Sequence, residues 1–289
     1  MTTNTSAAHR YAVYFTPSPG TLGWLAGSHW LGRCAASLQP LQQLDIEDVP
    51  ADVLHRLTAT PRRYGWHGTL KAPFALAPGA DWLTLHHAVS TVARGLRAFE
   101  LPPLHVERMA DDFLALVPAP SHPGNAALRD AAAACVVELH ALAAPLSAEE
   151  LARRRAAGLT PRQDELMVRW GYPFVLEEFR FHMSITGSLK GVDPRTQTLV
   201  LDAAQEYFSD MPRLPFNSLA IFAEPTPGAD RRATEEPSRK GNFMSNETVG
   251  TLYICPGFAG CISQKGADHA RRTERRCAHN YQPRQGSTP

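Results

Sequence analysis

Two short segments of the chain repeat one another: Trp66-His67-Gly68-Thr69-Leu70 and Phe181-His182-Met183-Ser184-Ile185. Each reads apolar, histidine, any residue, hydroxyl, apolar. Side chains of an extended strand alternate between faces. His67 and Thr69 therefore share one face, and His182 and Ser184 share another. Trp66, Leu70, Phe181 and Ile185 supply apolar surface beside them. Of the 12 histidines, only these two are followed two positions later by Ser or Thr. A three-residue pattern also fits two half-buried strand histidines with no chemistry, so its surroundings have to carry it further.

They do. Each motif leads into a turn-rich stretch, a helical pattern and a short apolar strand. After His67 come Pro73, Pro78-Gly79, a helical run over 81–96 and Phe113-Leu114-Ala115-Leu116-Val117. After His182 come Gly187, Gly191, a helical run over 196–208 and Ser218-Leu219-Ala220-Ile221-Phe222. This is weak internal duplication. It restricts the chain to two similar halves that bring two imidazole–hydroxyl pairs to one cleft.

The remaining pattern divides accordingly. A first strand over 11–16 ends at Pro17, and a short helix over 21–31 ends near Gly32. Trp82, Leu85, Val89, Val92 and Leu96 recur at helical spacing. Residues 120–124 read as a hinge, followed by an Ala-rich helix over 125–144. Ser147 and Glu150 have capping-box spacing, and Thr160-Pro161 starts another helix with proline at its first position. The strand carrying His182 is expected over 178–186. The expected units are an N-terminal lobe, 10–118, a C-terminal lobe, 119–228, and a tail, 229–289. The tail holds 10 Lys/Arg against 6 Asp/Glu with little apolar periodicity, so poor order is expected there.

Composition excludes several classes. A formal net charge of +1 argues against a dedicated binder of long nucleic acid. No apolar run approaches the roughly 20 residues that span a bilayer, and the first residues lack a secretory signal pattern. The five cysteines are an odd number, best read as free thiols. A soluble, cytoplasmic protein without a membrane partner is expected.

Longer stretches around the motifs resemble a known family. Residues 62–74, Arg-Arg-Tyr-Gly-Trp-His-Gly-Thr-Leu-Lys-Ala-Pro-Phe, look like the first motif of the two-histidine (2H) phosphoesterase superfamily. The stretches 144–155 and 169–187 are similar to the phosphonate-metabolism branch of it. The likeness covers residues 10–228. It implies an α+β, two-lobed, pseudo-two-fold duplicated fold with a cleft between antiparallel sheets. It implies hydrolysis of a small cyclic phosphodiester, such as a phosphoribosyl cyclic phosphate, with no cofactor and no metal. It also implies a functional link to carbon–phosphorus bond cleavage enzymes. The branch continues past Gly228 with an apolar strand, whereas this chain has Asp230-Arg231-Arg232, so the tail reads as a frame-shifted or fused extension.

The chemistry follows from the residue types. Opening a cyclic phosphodiester takes a proton from water and gives one to the departing oxygen. Histidine offers both protonation states near neutral pH. His67 and His182 are the catalytic candidates, with the order of base and acid open. Thr69 and Ser184 are candidates to hydrogen-bond phosphate oxygens. Lys71, two past Thr69, and Arg180, two before His182, are expected on the same faces and could clamp a phosphate; Tyr64 lies near the first motif. Three alternatives remain. One is an RNA-end 2′,3′-cyclic phosphodiesterase or ligase, and another is a non-catalytic phosphoester-binding protein. The third is a zinc module built from Cys255, Cys261, His269, Cys277 and His279, whose spacing lacks the paired C-x₂-C knuckle.

Overall fold

A computed structural model describes residues 8–110, 112–233 and 250–252, with 232–233 and 250–252 described by backbone alone. The chain runs β1 (Arg10–Phe15), α1 (Leu22–Leu31), α2 (Ala51–Leu57), α3 (Ala59–Tyr64), β2 (Gly68–Phe74), α4 (Trp82–Gly95), β3 (Phe99–Glu100), β4 (Leu104–Met109) and β5 (Phe113–Pro118). It continues α5 (Gly124–Glu138), α6 (Ala148–Arg155), α7 (Pro161–Trp170), β6 (Met183–Ser184), α8 (Pro194–Ser209), β7 (Pro215–Phe216), β8 (Ser218–Glu224), β9 (Arg232–Ala233) and β10 (Gly250–Leu252). The fold is mixed α and β with antiparallel sheets, as expected. The zinc-type residues of the tail, and most of the stretch expected to be poorly ordered, lie outside the described residues. Among the described residues no helix is long and apolar enough to cross a membrane.

Two sheets organise the molecule. In the larger, β1 lies between β8 and β2, antiparallel to both, while β9 and β10 pair with β8. In the smaller, β5 lies between β4 and β6. The expected division of the chain at 118/119 is not a division of the sheets. β1 and β2 are joined by β8 from the far end of the chain, and β4 and β5 by β6.

Local rules account for the helices. The expected capping box forms: the Ser147 hydroxyl accepts from Glu150 N–H while the Glu150 carboxylate accepts from Ser147 N–H; Thr160 and Gln163 form a second box at the start of α7. α4 buries Leu85, Val89, Val92 and Ala93 at the predicted spacing. The helix expected over 125–144 stops at Glu138. Beyond it the backbone bonds to the segment after β2, with Ala77 N–H donating to Leu142 O and Ala144 N–H to Ala75 O, each at 2.9 Å. The strand expected over 178–186 shrinks to β6. Only Met183 and Ser184 pair with β5, and Ile185 and Thr186 N–H both converge on Leu114 O. Upstream, the Arg180 carbonyl is taken by the His182 ring instead of a neighbouring strand.

One apolar core joins the two sheets. It contains Val13, Phe15, Leu219 and Ile221 from the larger sheet and Leu114, Leu116 and Met183 from the smaller. α1 holds both histidine segments to this core. Trp30 Nε1–H donates to Ile185 O at 2.8 Å, and Trp66 Nε1–H donates to Gly23 O at 3.0 Å. Both indoles are buried, so each donor needs its partner. Trp30→Phe removes the donor to Ile185 O. The expected loss of unfolding free energy is about 1–3 kcal/mol, read as a lower denaturant midpoint at unchanged m-value.

Candidate active site

The two histidine segments meet at a cavity of about 400 Å³ between the sheets, a volume in the range of small-molecule sites. Tyr14 of β1 and Thr69 of β2, directly opposite in register, form one side. Tyr64 at the end of α3 closes the rim, and Phe113, His182, Ser184 and Thr186 form the other side. Among the described residues no carboxylate lines it. A larger open groove of about 770 Å³ between α4 and α5 contains none of the motif residues.

The imidazoles are held alike. His67 Nδ1 lies 2.8 Å from Gly65 O, and His182 Nδ1 lies 2.9 Å from Arg180 O. A carbonyl only accepts, so both rings carry their proton on Nδ1 when neutral. That leaves both Nε2 atoms without that proton and suited to proton transfer. Each motif thus orients its ring with the carbonyl two residues upstream. Gly65 is built for this: its φ of +80° turns the chain sharply at the end of α3, and a Cβ there would meet Ala35 Cβ at 2.6 Å.

The cavity gathers Tyr64, His67, Thr69, His182 and Ser184 of the residues singled out from sequence. Among the described residues, the Thr69 and Ser184 hydroxyls have no hydrogen-bond partner, which leaves them free for a ligand. Lys71 and Arg180 are not part of the lining. Lys71 was expected on the Thr69 face by simple alternation. Pairing with β1 slips one register between Tyr14↔Thr69 and Val13↔Lys71, the mark of a β-bulge, and the lysine lines a neighbouring cavity instead. Arg180 is exposed, and its guanidinium bonds back to the Glu177 and Phe179 carbonyls. Its contribution to the cavity is the backbone carbonyl that orients His182.

Sequence reasoning missed Tyr14 and Arg231. Arg231 is buried, at 7 % exposure, and lines the cavity. It donates to Tyr14 Oη at 2.5 Å, pairs with Glu224 at 3.4 Å and lies 4.2 Å over the Tyr64 ring. Its Nε is buried without a partner. The only signal was the run Asp230-Arg231-Arg232, which had been set aside as part of the tail. Tyr14 also stacks on His67, with ring centroids 3.9 Å apart. Burial raises its phenol pKa to about 12, so it stays protonated at neutral pH.

His67 is electrostatically set. Burial pushes its pKa down to about 3, helped by the positive fields of Arg231 and His182 and opposed by the Gly65 carbonyl. It is neutral at pH 7. The unfolded chain would protonate it near 6.5, so as pH falls below 6.5 the unfolded state binds the proton first. Its contribution therefore lowers stability progressively until the folded-state pKa is passed. Arg231→Gln removes one repulsive charge and should move the His67 midpoint upward, measured by NMR titration of the ring.

Gly68, between His67 and Thr69, sets how closely the segments approach. A Cβ there would stand 2.4–2.5 Å from the Phe181 ring. Gly68→Ala should separate the two imidazoles and weaken any activity that needs both by at least tenfold, with a smaller change in thermal stability. Paired activity and melting measurements check this.

Comparison with known proteins gives two kinds of relative. A family described as protein of unknown function (DUF1045) matches residues 69–232, more than half of the chain. "Ribose 1,5-bisphosphate phosphokinase PhnN" of Janthinobacterium sp. (strain Marseille) is 38% identical over 258 residues, covering 87% of this chain and 56% of that protein. The protein of the same name from Laribacter hongkongensis (strain HLHK9) is 38% identical over 261 residues, covering 89% of this chain and 59% of its own length. The chain thus spans a little over half the length of the curated relatives it matches. The matched segment runs from Thr69 in β2 through the second histidine motif to Arg232, with His67 just before it; it covers more than half of the chain, and on this ground the chain belongs to the DUF1045 family.

Proposed function

We propose that the chain is a phosphoesterase of the two-histidine type that opens a small cyclic phosphodiester carried on a phosphorylated sugar. The observation that carries this reading is the matched pair: two imidazoles with the same tautomer, each beside a free hydroxyl, on opposite sides of one cavity that also holds a buried arginine. His67, held neutral at pH 7, takes a proton from water as the water oxygen bonds to phosphorus. His182, as imidazolium, gives its Nε2 proton to the ring oxygen as the phosphorus–oxygen bond breaks. A phosphate monoester and a free hydroxyl result. The Thr69 and Ser184 hydroxyls and Arg231 hold the non-bridging oxygens as charge builds. All of these residues belong to this chain.

The order of elements supports the duplicated fold. The series β1, α1, β2, α4, β3, β4 is matched by β5, α5, β6, α8, β7, β8. In each sheet the motif strand flanks the first strand of its series, and β3 pairs with β7. The counterpart of β8 is then β4, not the segment 113–117 chosen from sequence, and the halves divide between β4 and β5.

The relatives' names favour a second reading, a kinase. A P-loop cradles phosphates with a Gly-Lys-Ser/Thr ending, and no glycine precedes any lysine of this chain. More than 40% of each relative's length lies outside the match, room enough for a separate kinase unit. The names also fit a phosphorylated ribose as the shared substrate class. They accord with the link to carbon–phosphorus bond cleavage that the family resemblance implies.

Purified protein assayed on a panel of cyclic phosphodiesters should turn over a phosphoribosyl cyclic ester. His67→Ala and His182→Ala should each lower kcat/KM by about 10²–10⁴-fold. Retained turnover in either variant, or ATP-dependent phosphorylation of a ribose phosphate by this chain alone, would overturn the assignment.

A further inference from the structure

Lys71 presents an unusual balance. It is buried to 4 % exposure, and its ammonium has one hydrogen-bond acceptor, Val136 O at 3.3 Å in the last turn of α5. The face of Phe74 lies 5.0 Å away. Among the described residues no carboxylate pairs with it. An ammonium has three donors, and a buried charge with one neutral acceptor is poorly compensated. Burial accordingly lowers its pKa to about 8.

The lysine lines a second cavity, of about 180 Å³. Arg10 lines it too; its Nη2 pairs with Glu224 at 3.2 Å, while its Nε is buried without a partner among the described residues. The single carboxylate of the lining, Glu150, is committed to the Ser147 N–H and to Arg153. Ala72, Pro73 and Tyr172 line both this cavity and the one with the histidines. The two spaces therefore adjoin at these three residues.

We infer that the Lys71 cavity is a second anion subsite, taking a phosphate monoester on the same substrate whose cyclic phosphate lies between His67 and His182. This rests on the phosphoesterase reading for the first phosphate. The anion takes the free donors of the Lys71 ammonium and the Arg10 Nε–H, and the ammonium, which no carboxylate pairs among the described residues, neutralises it. A phosphorylated sugar with groups at both ends reaches from one space into the other past Ala72, Pro73 and Tyr172. A 2′,3′-cyclic nucleoside without a terminal phosphate leaves the subsite empty and binds more weakly.

The test is calorimetric titration of the full chain with ribose 5-phosphate, which has the monoester and no cyclic phosphate. Wild type should bind it. Lys71→Met should bind at least tenfold more weakly, with folding checked by its melting temperature. Leu146→Glu, which adds a carboxylate to the same lining and leaves Lys71 in place, should weaken binding similarly and keeps the test valid if Lys71→Met does not fold. No binding by wild type, or equal binding by the folded variants, overturns the subsite and leaves Lys71 as a cap on α5. Turnover of cyclic esters is scored separately. Lys71-dependent binding without turnover keeps the subsite and removes the reaction, and turnover with Lys71-independent binding does the reverse.

Discussion

The contact of Gly68 with the Phe181 ring is the constraint on which the candidate site depends. It brings the two histidine segments together, and it exists because one partner has no side chain. Every other part of the cavity follows from that approach. β2 and the short β6, each with the histidine just before it, can present an imidazole and a hydroxyl to one small space only if nothing separates them. The two indole bonds to α1, from Trp66 to Gly23 O and from Trp30 of the helix to Ile185 O, then keep the segments from sliding. Both bonds are buried, so sliding would leave polar groups unsatisfied, a cost of about 1–3 kcal/mol each.

Electrostatics gives the site its asymmetry. The two motifs use the same backbone device to hold their rings, yet only His67 stacks on Tyr14 beside a buried guanidinium. Burial and positive field act together on that ring and keep it neutral. The cation that does this is itself stabilised, by Glu224 and by the phenol of Tyr14. A neutral imidazole and a buried guanidinium therefore stand side by side in a space that, among the described residues, no carboxylate lines.

Much of this was legible in the sequence, and the exceptions have physical causes. The histidine–hydroxyl pairs could be found because strand alternation is local. The Ser147 capping box and the buried face of α4 could be found for the same reason. Lys71 was misplaced because a bulge adds one residue to β2, and alternation cannot anticipate a bulge. Arg180 was misplaced because the segment before β6 does not pair as a strand, so the rule for strand faces did not apply to it. Arg231 could not be found by any local rule: it reaches the cavity from beyond β8 through contacts with Tyr14, more than 200 residues earlier. The mixed parentage of the sheets was hidden likewise, since pairing between the ends of a chain leaves no periodic trace.

The β1–β8 ladder has a kinetic consequence. β1 is the central strand of the larger sheet, but its partner on one side arrives last: Arg10 and Glu224 face each other across 214 positions of chain. Until that ladder closes, a strand with five buried residues has an open edge, and closing so long a loop costs entropy before any contact returns it. Such a topology has high contact order and folds slowly. During synthesis the emerging chain must carry an unsheltered, strongly apolar β1 until nearly all of the body has been made, which makes this strand the point most exposed to aggregation.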